Sequence, residues 1–287
     1  MSDLKNKTQP PRNSEMMGPL LTLKVHAALA APARAGTTTV ECSLDLERSR
    51  STVEVNNAGW LWQGRRFPWL DTCKARTIYH WSDGAFQPVA RFTASLIKLV
   101  PTEWGAPTFE IDGIKMLPTA HVSPYADAER KVGLIQPRGK VILDTCGGLG
   151  YFAAWCVLGQ ARQVLSFEKN ADVIWLRSLN PWSPAMGNSL TVTHGDIAEE
   201  IVNMPAASVD AILHDPPRFG LAGELYSQVF YDQLARVLRR KGRLFHYTGA
   251  PNQLTSGRDV SAEVMKRLRH AGFVTAVNGD GILAVKL

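Results

Sequence analysis

Cysteine is scarce in this chain: Cys42, Cys73, Cys146 and Cys156 are the only four among 287 residues. None stands in C-x-x-C spacing and none has histidine pairs nearby, so neither a disulfide framework nor a structural zinc is expected, and no metal is assigned. Long apolar runs are missing too. No window reaches the ~18 uninterrupted apolar residues of a membrane-spanning helix. In the Ala-rich stretch 20–33, Lys24 and His26 break what would otherwise resemble a signal-peptide core. A soluble, cytoplasmic protein without a membrane partner is the expectation. Excess charge is modest: the net charge is +6 and the pI about 9.2. Half of that excess sits in the first forty residues, where Lys5, Lys7, Arg12, Lys24 and Arg34 face only Asp3 and Glu15. The nearly balanced remainder is not the dense cationic field of an obligate nucleic-acid binder. No internal repeat is visible. What is abundant is core material, 45% hydrophobic against 20% charged residues, which excludes bulk disorder and suits one large domain or a core with an appended module.

The texture changes twice along the chain. Residues 1–16 are polar and proline-containing and read as a disordered tail. Residues 17–109 read as a helix from Gly18 to about Ala33, closed by Pro32 and Gly36, followed by a small, mostly β module. There, short β-branched and aromatic runs such as STVEV and WLWQGRRF alternate with turn signals such as N-N-A-G and S-D-G. Trp60, Trp62, Trp69, Trp81 and Trp104 fall in this stretch. They read as hydrophobic packing of a small module, with a stacking platform for a base or ligand as the alternative. From residue 110 onward the alternation is different. The apolar runs KVILD, QVLSFEK, LTVTHGD, VDAILHDPP and GRLFHYT are separated by the helical YFAAWCVLG, NADVIWLRSL and LYSQVFYDQLARVLRR. VSAEVMKRLRHAGF supplies a last helix and ILAVKL closes the chain. Strands alternating with helices of this length predict an α/β fold with a doubly wound, mostly parallel sheet over residues 110–287.

Three strand ends carry acidic residues. The first ends in Asp144, followed by Thr145-Cys146-Gly147-Gly148-Leu149-Gly150, a loop of small residues that lets the backbone turn tightly and approach a ligand at a helix start. Glu168 ends the second strand, 24 residues after Asp144, and Asp196 ends the third. Each alone could be a helix N-cap, but three at successive strand ends are hard to obtain by accident. The fourth strand ends in His214-Asp215-Pro216-Pro217-Arg218-Phe219, where two prolines hold the chain extended and remove two donors.

The order D-x-C-x-G-x-G, E, G-D and D-P-P resembles the class I S-adenosylmethionine-dependent methyltransferase superfamily, which implies a Rossmann-like sheet and S-adenosyl-L-methionine as cofactor. Cys146 stands where that superfamily usually has glycine. The resemblance places Asp144 at the methionine end of the cofactor, Gly148 and Gly150 along it, Glu168 on the ribose and Asp196 on the adenine, with Thr145, Cys146, Gly147 and Ile197 completing the set. LDTCGGLGY, HDPPRF, AGELY and GRLFHYTG together resemble a narrower group of archaeal and bacterial methyltransferases, whose lead-in IDGIKM…P-Y-x-D is also present.

The D-P-P turn is similar to that of amino-methyltransferases, where a carboxylate or carboxamide and a proline carbonyl grip an amine. That resemblance makes Asp215, Pro216 and Arg218 the catalytic candidates. His246, at the end of the fifth strand, is a candidate general base or equally a core-satisfied histidine. Tyr125, Asp127, Phe219, Glu224 and Tyr247 are candidate substrate contacts. Methylation of an amine nitrogen, on an RNA base or a small metabolite, is the first reading. Aminopropyl transfer of the spermidine-synthase type, from decarboxylated S-adenosylmethionine, is the second. A non-catalytic RNA-binding or scaffold protein is the third, and it would predict damaged ligand positions, whereas Asp144, Glu168, Asp196 and Asp215 are all present.

Overall fold

The computed structural model describes residues 18–249, 254–255 and 258–287; the expected polar tail lies outside them. The chain forms two compact units, residues 18–125 with Trp175–Trp182, and Ala126–Ile174 with Ser183–Leu287.

The first unit holds three small antiparallel sheets and the helix Leu23–Arg34. That helix begins later than the composition predicts. Thr22 is extended and accepts the Val25 N–H on its Oγ1 at 3.3 Å, a side-chain N-cap. Leu20–Leu21 are thereby left to pair as a strand with Tyr79 and His80. Strand Thr108–Ile111 pairs with Leu96–Val100 on one side and Ile114–Lys115 on the other. The two-residue turn at Asp112 and Gly113 has φ of +48° and +78°, the left-handed pair that a tight hairpin requires. The I-D-G-I-K lead-in is therefore a hairpin turn, and the first unit continues beyond the expected boundary at 109.

Four of the five tryptophans of this stretch are packing. Trp60 is 2% exposed and stacks on Phe67 with ring centroids 4.4 Å apart. Trp81 meets Phe67 and Phe86 edge-on at 5.1 and 4.9 Å, and Trp62 and Trp69 pack against the same core of Leu21, Val25, Leu29, Val53 and Val55. Trp104 is 45% exposed and donates its indole N–H to the Thr119 carbonyl.

The second unit begins within helix α1 (Pro124–Ile135) and continues through β1 (Val141–Asp144), α2 (Tyr151–Leu158), β2 (Gln163–Glu168), α3 (Ala171–Leu179), β3 (Leu190–His194), α4 (Ile197–Glu200) and β4 (Val209–His214). It then runs through α5 (Gln228–Val237), β5 (Leu238–Tyr247), α6 (Val260–His270), β6 (Phe273–Asn278) and β7 (Gly281–Lys286). The sheet order is β3-β2-β1-β4-β5-β7-β6. β1 to β5 are mutually parallel, and β7 enters antiparallel beside β5. This is the doubly wound, mostly parallel Rossmann-like sheet expected, with continuous apolar strands because helices cover both faces. Ile142, Leu143, Ile212, Leu213, Leu244 and Phe245 are fully buried.

Two boundaries differ from the sequence pattern. Helix α5 stops at Val237 instead of running through Arg240, because buried Leu238 is already extended and pairs with Val209 of β4. The run FVTAVN forms β6, an edge strand whose exposed Val274 and Val277 blur the alternation that would mark it. Among the described residues, no helix is long and apolar enough to cross a membrane.

Candidate active site

Parallel register aligns the carboxyl ends of the central strands: Asp144 pairs with Ser166 and Leu213, Glu168 with His194, and His214 with His246. Ligand sites of such sheets lie outside these ends, where β1 and β4 diverge from a common centre.

Asp144 is buried and accepts the Ser166 hydroxyl on Oδ2 at 2.8 Å. The loop after it passes through Gly148 and Gly150 at φ +49° and +79°, conformations a side chain resists. Gly147 donates its N–H to the Phe167 carbonyl at 2.7 Å, and Gly150 closes back on Gly147 at 2.7 Å. Glu168 holds this loop by accepting the Gly148 N–H at 2.8 Å on one oxygen and the Asn170 N–H at 2.9 Å on the other. Cys146 is partly buried in the same loop, and burial pushes its thiol well above the usual range. Asp196 caps α4 through the Ala198 N–H and pairs with Lys169 at 2.6 Å. Burial alone would raise its pKa, but Lys169 and the Ala198 amide together hold the carboxyl below its ordinary value. Ile197 points its side chain into the sheet core.

Thr145 and the two histidines form a buried chain. His214 Nε2 faces the Leu225 carbonyl at 3.1 Å and must carry the proton there; its Nδ1 then accepts the Thr145 hydroxyl at 2.7 Å. His246 donates from Nδ1 to the Tyr247 carbonyl at 2.8 Å and accepts the Tyr231 hydroxyl on Nε2 at 3.0 Å. Burial drives the His246 imidazole down to about 4 and His214 well below its ordinary value. Both nitrogens of His246 are engaged inside the core, which is the arrangement of a core-satisfied histidine; a general-base role finds no support in it.

Asp215 stands apart. It is only partly buried, and it makes no hydrogen bond or ion pair with another described residue. Burial raises its carboxyl to about 6, against the opposing pull of Lys131. Pro216 behind it is buried. The Pro217 carbonyl accepts the Tyr226 hydroxyl at 3.0 Å, and Phe219 meets Tyr226 edge-on at 5.5 Å. Arg218 and Glu224 are exposed, Glu224 within the short helical turn Gly223–Tyr226. Tyr125, at the start of α1, packs edge-on against Trp182 at 5.1 Å.

Asp127, Asp215 and Tyr247 come together around a residue the sequence analysis passed over. Lys131 is 1% exposed, with its Nζ 2.7 Å from Asp127, 3.5 Å from Asp280 and 4.2 Å from the centre of the Tyr247 ring. Asp280, in the turn between β6 and β7, was missed as well. The only sequence signals were the i, i+4 spacing of Asp127 and Lys131 and the N-G-D-G turn, both of which read equally as solvated surface. Among the described residues, no group of three or more His, Cys, Asp or Glu could hold a metal ion.

Residues 183–276 match a family described as S-adenosyl-L-methionine-dependent methyltransferase. An uncharacterised protein of Methanocaldococcus jannaschii is 40% identical over 214 residues, 73% of each chain. Among solved structures, spermidine synthase from Thermotoga maritima is similar with a TM-score of 0.53 at 15% identity, covering 69% of this chain and 71% of that one. MNMC2 from Aquifex aeolicus is similar with a TM-score of 0.50 at 19% identity, covering 68% and 71%. At such identities the two solved structures show likeness of fold.

Proposed function

Since the chain belongs to the S-adenosyl-L-methionine-dependent methyltransferase family, with S-adenosyl-L-methionine as its cofactor, we propose that it transfers a methyl group to an amine nitrogen held at Asp215. The observation that carries this reading is Asp215 itself. It is a carboxylate at the end of β4, uncommitted among the described residues, with its pKa raised to about 6 by burial. Near neutral pH it is mostly ionised, yet basic enough to take a proton.

The residues around the glycine loop fit the cofactor. The left-handed glycines leave no side chain between the loop and a ligand, and Glu168 and Asp196 project from adjacent strand ends. Glu168 is a carboxylate at the end of β2, held in place by the Gly148 and Asn170 amides, and an acidic residue there suits ribose hydroxyls. Asp196 is assigned to the adenine side, and Asp144 with the Gly148–Gly150 turn to the methionine side. When bound, the cofactor supplies an electrophilic methyl group. Asp215 accepts the N–H of the acceptor amine, aligns its lone pair and takes the proton that leaves nitrogen, so positioning accounts for much of the rate. Pro216 and the tied Pro217 carbonyl keep Asp215 from moving.

The acceptor reads as an RNA base amine or a small metabolite amine. Aminopropyl transfer would need carboxylates open to a diamine, and Asp127 and Asp280 are already paired with Arg130 and Lys131.

The test is transfer of radiolabelled methyl from S-adenosyl-L-methionine to fractionated RNA and to a panel of small amines. Asp215→Asn should bind the cofactor like the wild type in calorimetry and lose about 100-fold or more in transfer rate. Undiminished transfer by that variant, or preference for decarboxylated S-adenosylmethionine, would overturn the proposal.

A further inference from the structure

A fully buried lysine beside the reaction end of a sheet calls for a reason. Removing an ammonium from water is several kcal/mol uphill unless opposite charge and hydrogen bonds replace the solvent. Asp127 and Asp280 answer part of that demand for Lys131, but both also bind Arg130, at 3.0 and 2.5 Å. Arg130 is half-exposed and spans the two carboxylates from the solvent side, so tying α1 to the β6–β7 turn does not need a second, buried cation.

The geometry gives Lys131 another partner. His214 and His246 are paired in register, so the residues that follow them, Asp215 just beyond β4 and Tyr247 at the last position of β5, are neighbours at the same end of the sheet. The Lys131 ammonium lies over the Tyr247 ring at 4.2 Å. The turn carrying Asp280 is bound to the same strand end, through the Thr248 N–H and the Asp280 carbonyl at 3.1 Å. Four chain segments thus converge on one charge.

We propose that Lys131 is a positioning residue: its ammonium, clamped by Asp127, Asp280 and the Tyr247 ring, is the fixed counter-charge that keeps Asp215 ionised and turned toward the acceptor. The proposal rests on the assignment of Asp215 as the acceptor-gripping carboxylate. The other groups facing Asp215 do not substitute for Lys131. Asp127 and Asp280 disfavour its ionisation. Tyr247 from β5, Tyr226 from the turn after β4 and Cys146 from the glycine loop all remain neutral, pushed up first by burial and further by Asp215. Without Lys131, Asp215 would sit among two carboxylates and three neutral acids. It would hold a proton at neutral pH and could no longer take one from an amine.

The experiment is a pH titration of the Asp215 side-chain carboxyl by 13C NMR in the full-length protein, the signal being assigned by its disappearance in Asp215→Asn. The wild type should titrate near the expected value of about 6. Lys131→Met should raise the midpoint by about one unit or more, and Lys131→Arg should restore it to near the wild-type value. If Lys131→Met does not fold, Lys131→Gln serves instead, and the same rise of the Asp215 midpoint is expected. An Asp215 midpoint unmoved in whichever of these variants folds would overturn the counter-charge. The titration needs no acceptor, so its failure is distinct from a failure of the amine-transfer reading, which the Asp215→Asn transfer assay addresses.

Discussion

Glu168 joins two backbone amides to one carboxylate, Gly148 in the glycine loop and Asn170 at the start of α3. Hydrogen bonds to a charged acceptor are worth about 1.5–3 kcal/mol each when sheltered, and less where water competes, as it does at this half-buried side chain. Glu168→Ala removes both anchors as well as the assigned ribose contact. Affinity for S-adenosyl-L-methionine should fall by about 100-fold while the protein stays folded; titration calorimetry with unchanged affinity would remove Glu168 from the cofactor set. The place of this residue was legible in the sequence because it is one of three acidic residues at successive strand ends. Asp215 was legible at the next strand end, flagged by the two prolines after it. Lys131 was not, because in E-R-K-V-G a lysine on a helix reads as solvated, and only tertiary packing against Tyr247 shows its burial. His246 was legible as a strand-end histidine that is either a general base or a core residue, and the choice between the two needed its partner, Tyr231, which comes from α5.

At the scale of elements, helix α2 depends on its first turn. Gly150 occupies the N-cap position at φ +79° with no side-chain cap, so the helix entry is set by backbone freedom alone. Gly150→Ala should cost about 1 kcal/mol of stability from the left-handed strain. It should also cost cofactor affinity well beyond that of a substitution at exposed Gly139, which has φ +71° but lies in the turn before β1. Comparing urea midpoints and calorimetric affinities of the two variants checks this; equal affinities would mean that the glycine loop does not contact the ligand. The sequence showed α2 and β1 to β5 well, because buried parallel strands are short apolar runs with clear turn signals between them. It showed the ends of α5 and the existence of β6 poorly. V-L-R-R is as good a helix as a strand until Leu238 finds Val209, and an edge strand with two exposed valines lacks a buried face to announce it.

The catalytic unit as a whole carries opposing proton linkages, and their balance gives a measurable slope. His214 and His246 are neutral in the folded state, with pKa values depressed by burial, to about 4 for His246. The unfolded chain therefore binds more protons as pH falls below the ordinary histidine value, and the stability that these residues carry near pH 7 is lost on acidification. Asp215 acts the other way: it is protonated from about 6 downward when folded, but only near 3.8 when unfolded, so acidification through that window favours the folded state. Between pH 6 and about 4 the sum is two protons taken up by the unfolded histidines against one held by folded Asp215. The net slope should be about one proton, or ~1.4 kcal/mol lost per pH unit. Asp215→Asn removes the opposing contribution and should double the slope while raising stability at pH 7, because a carboxyl whose pKa is higher in the folded than in the unfolded state is gone. Urea titrations at several pH values, read from the amide signals of Leu213 and Phe245 at the centre of β4 and β5, measure both slopes. Equal slopes in the two proteins would show that Asp215 titrates normally, and would remove the ground for giving it the acceptor's proton.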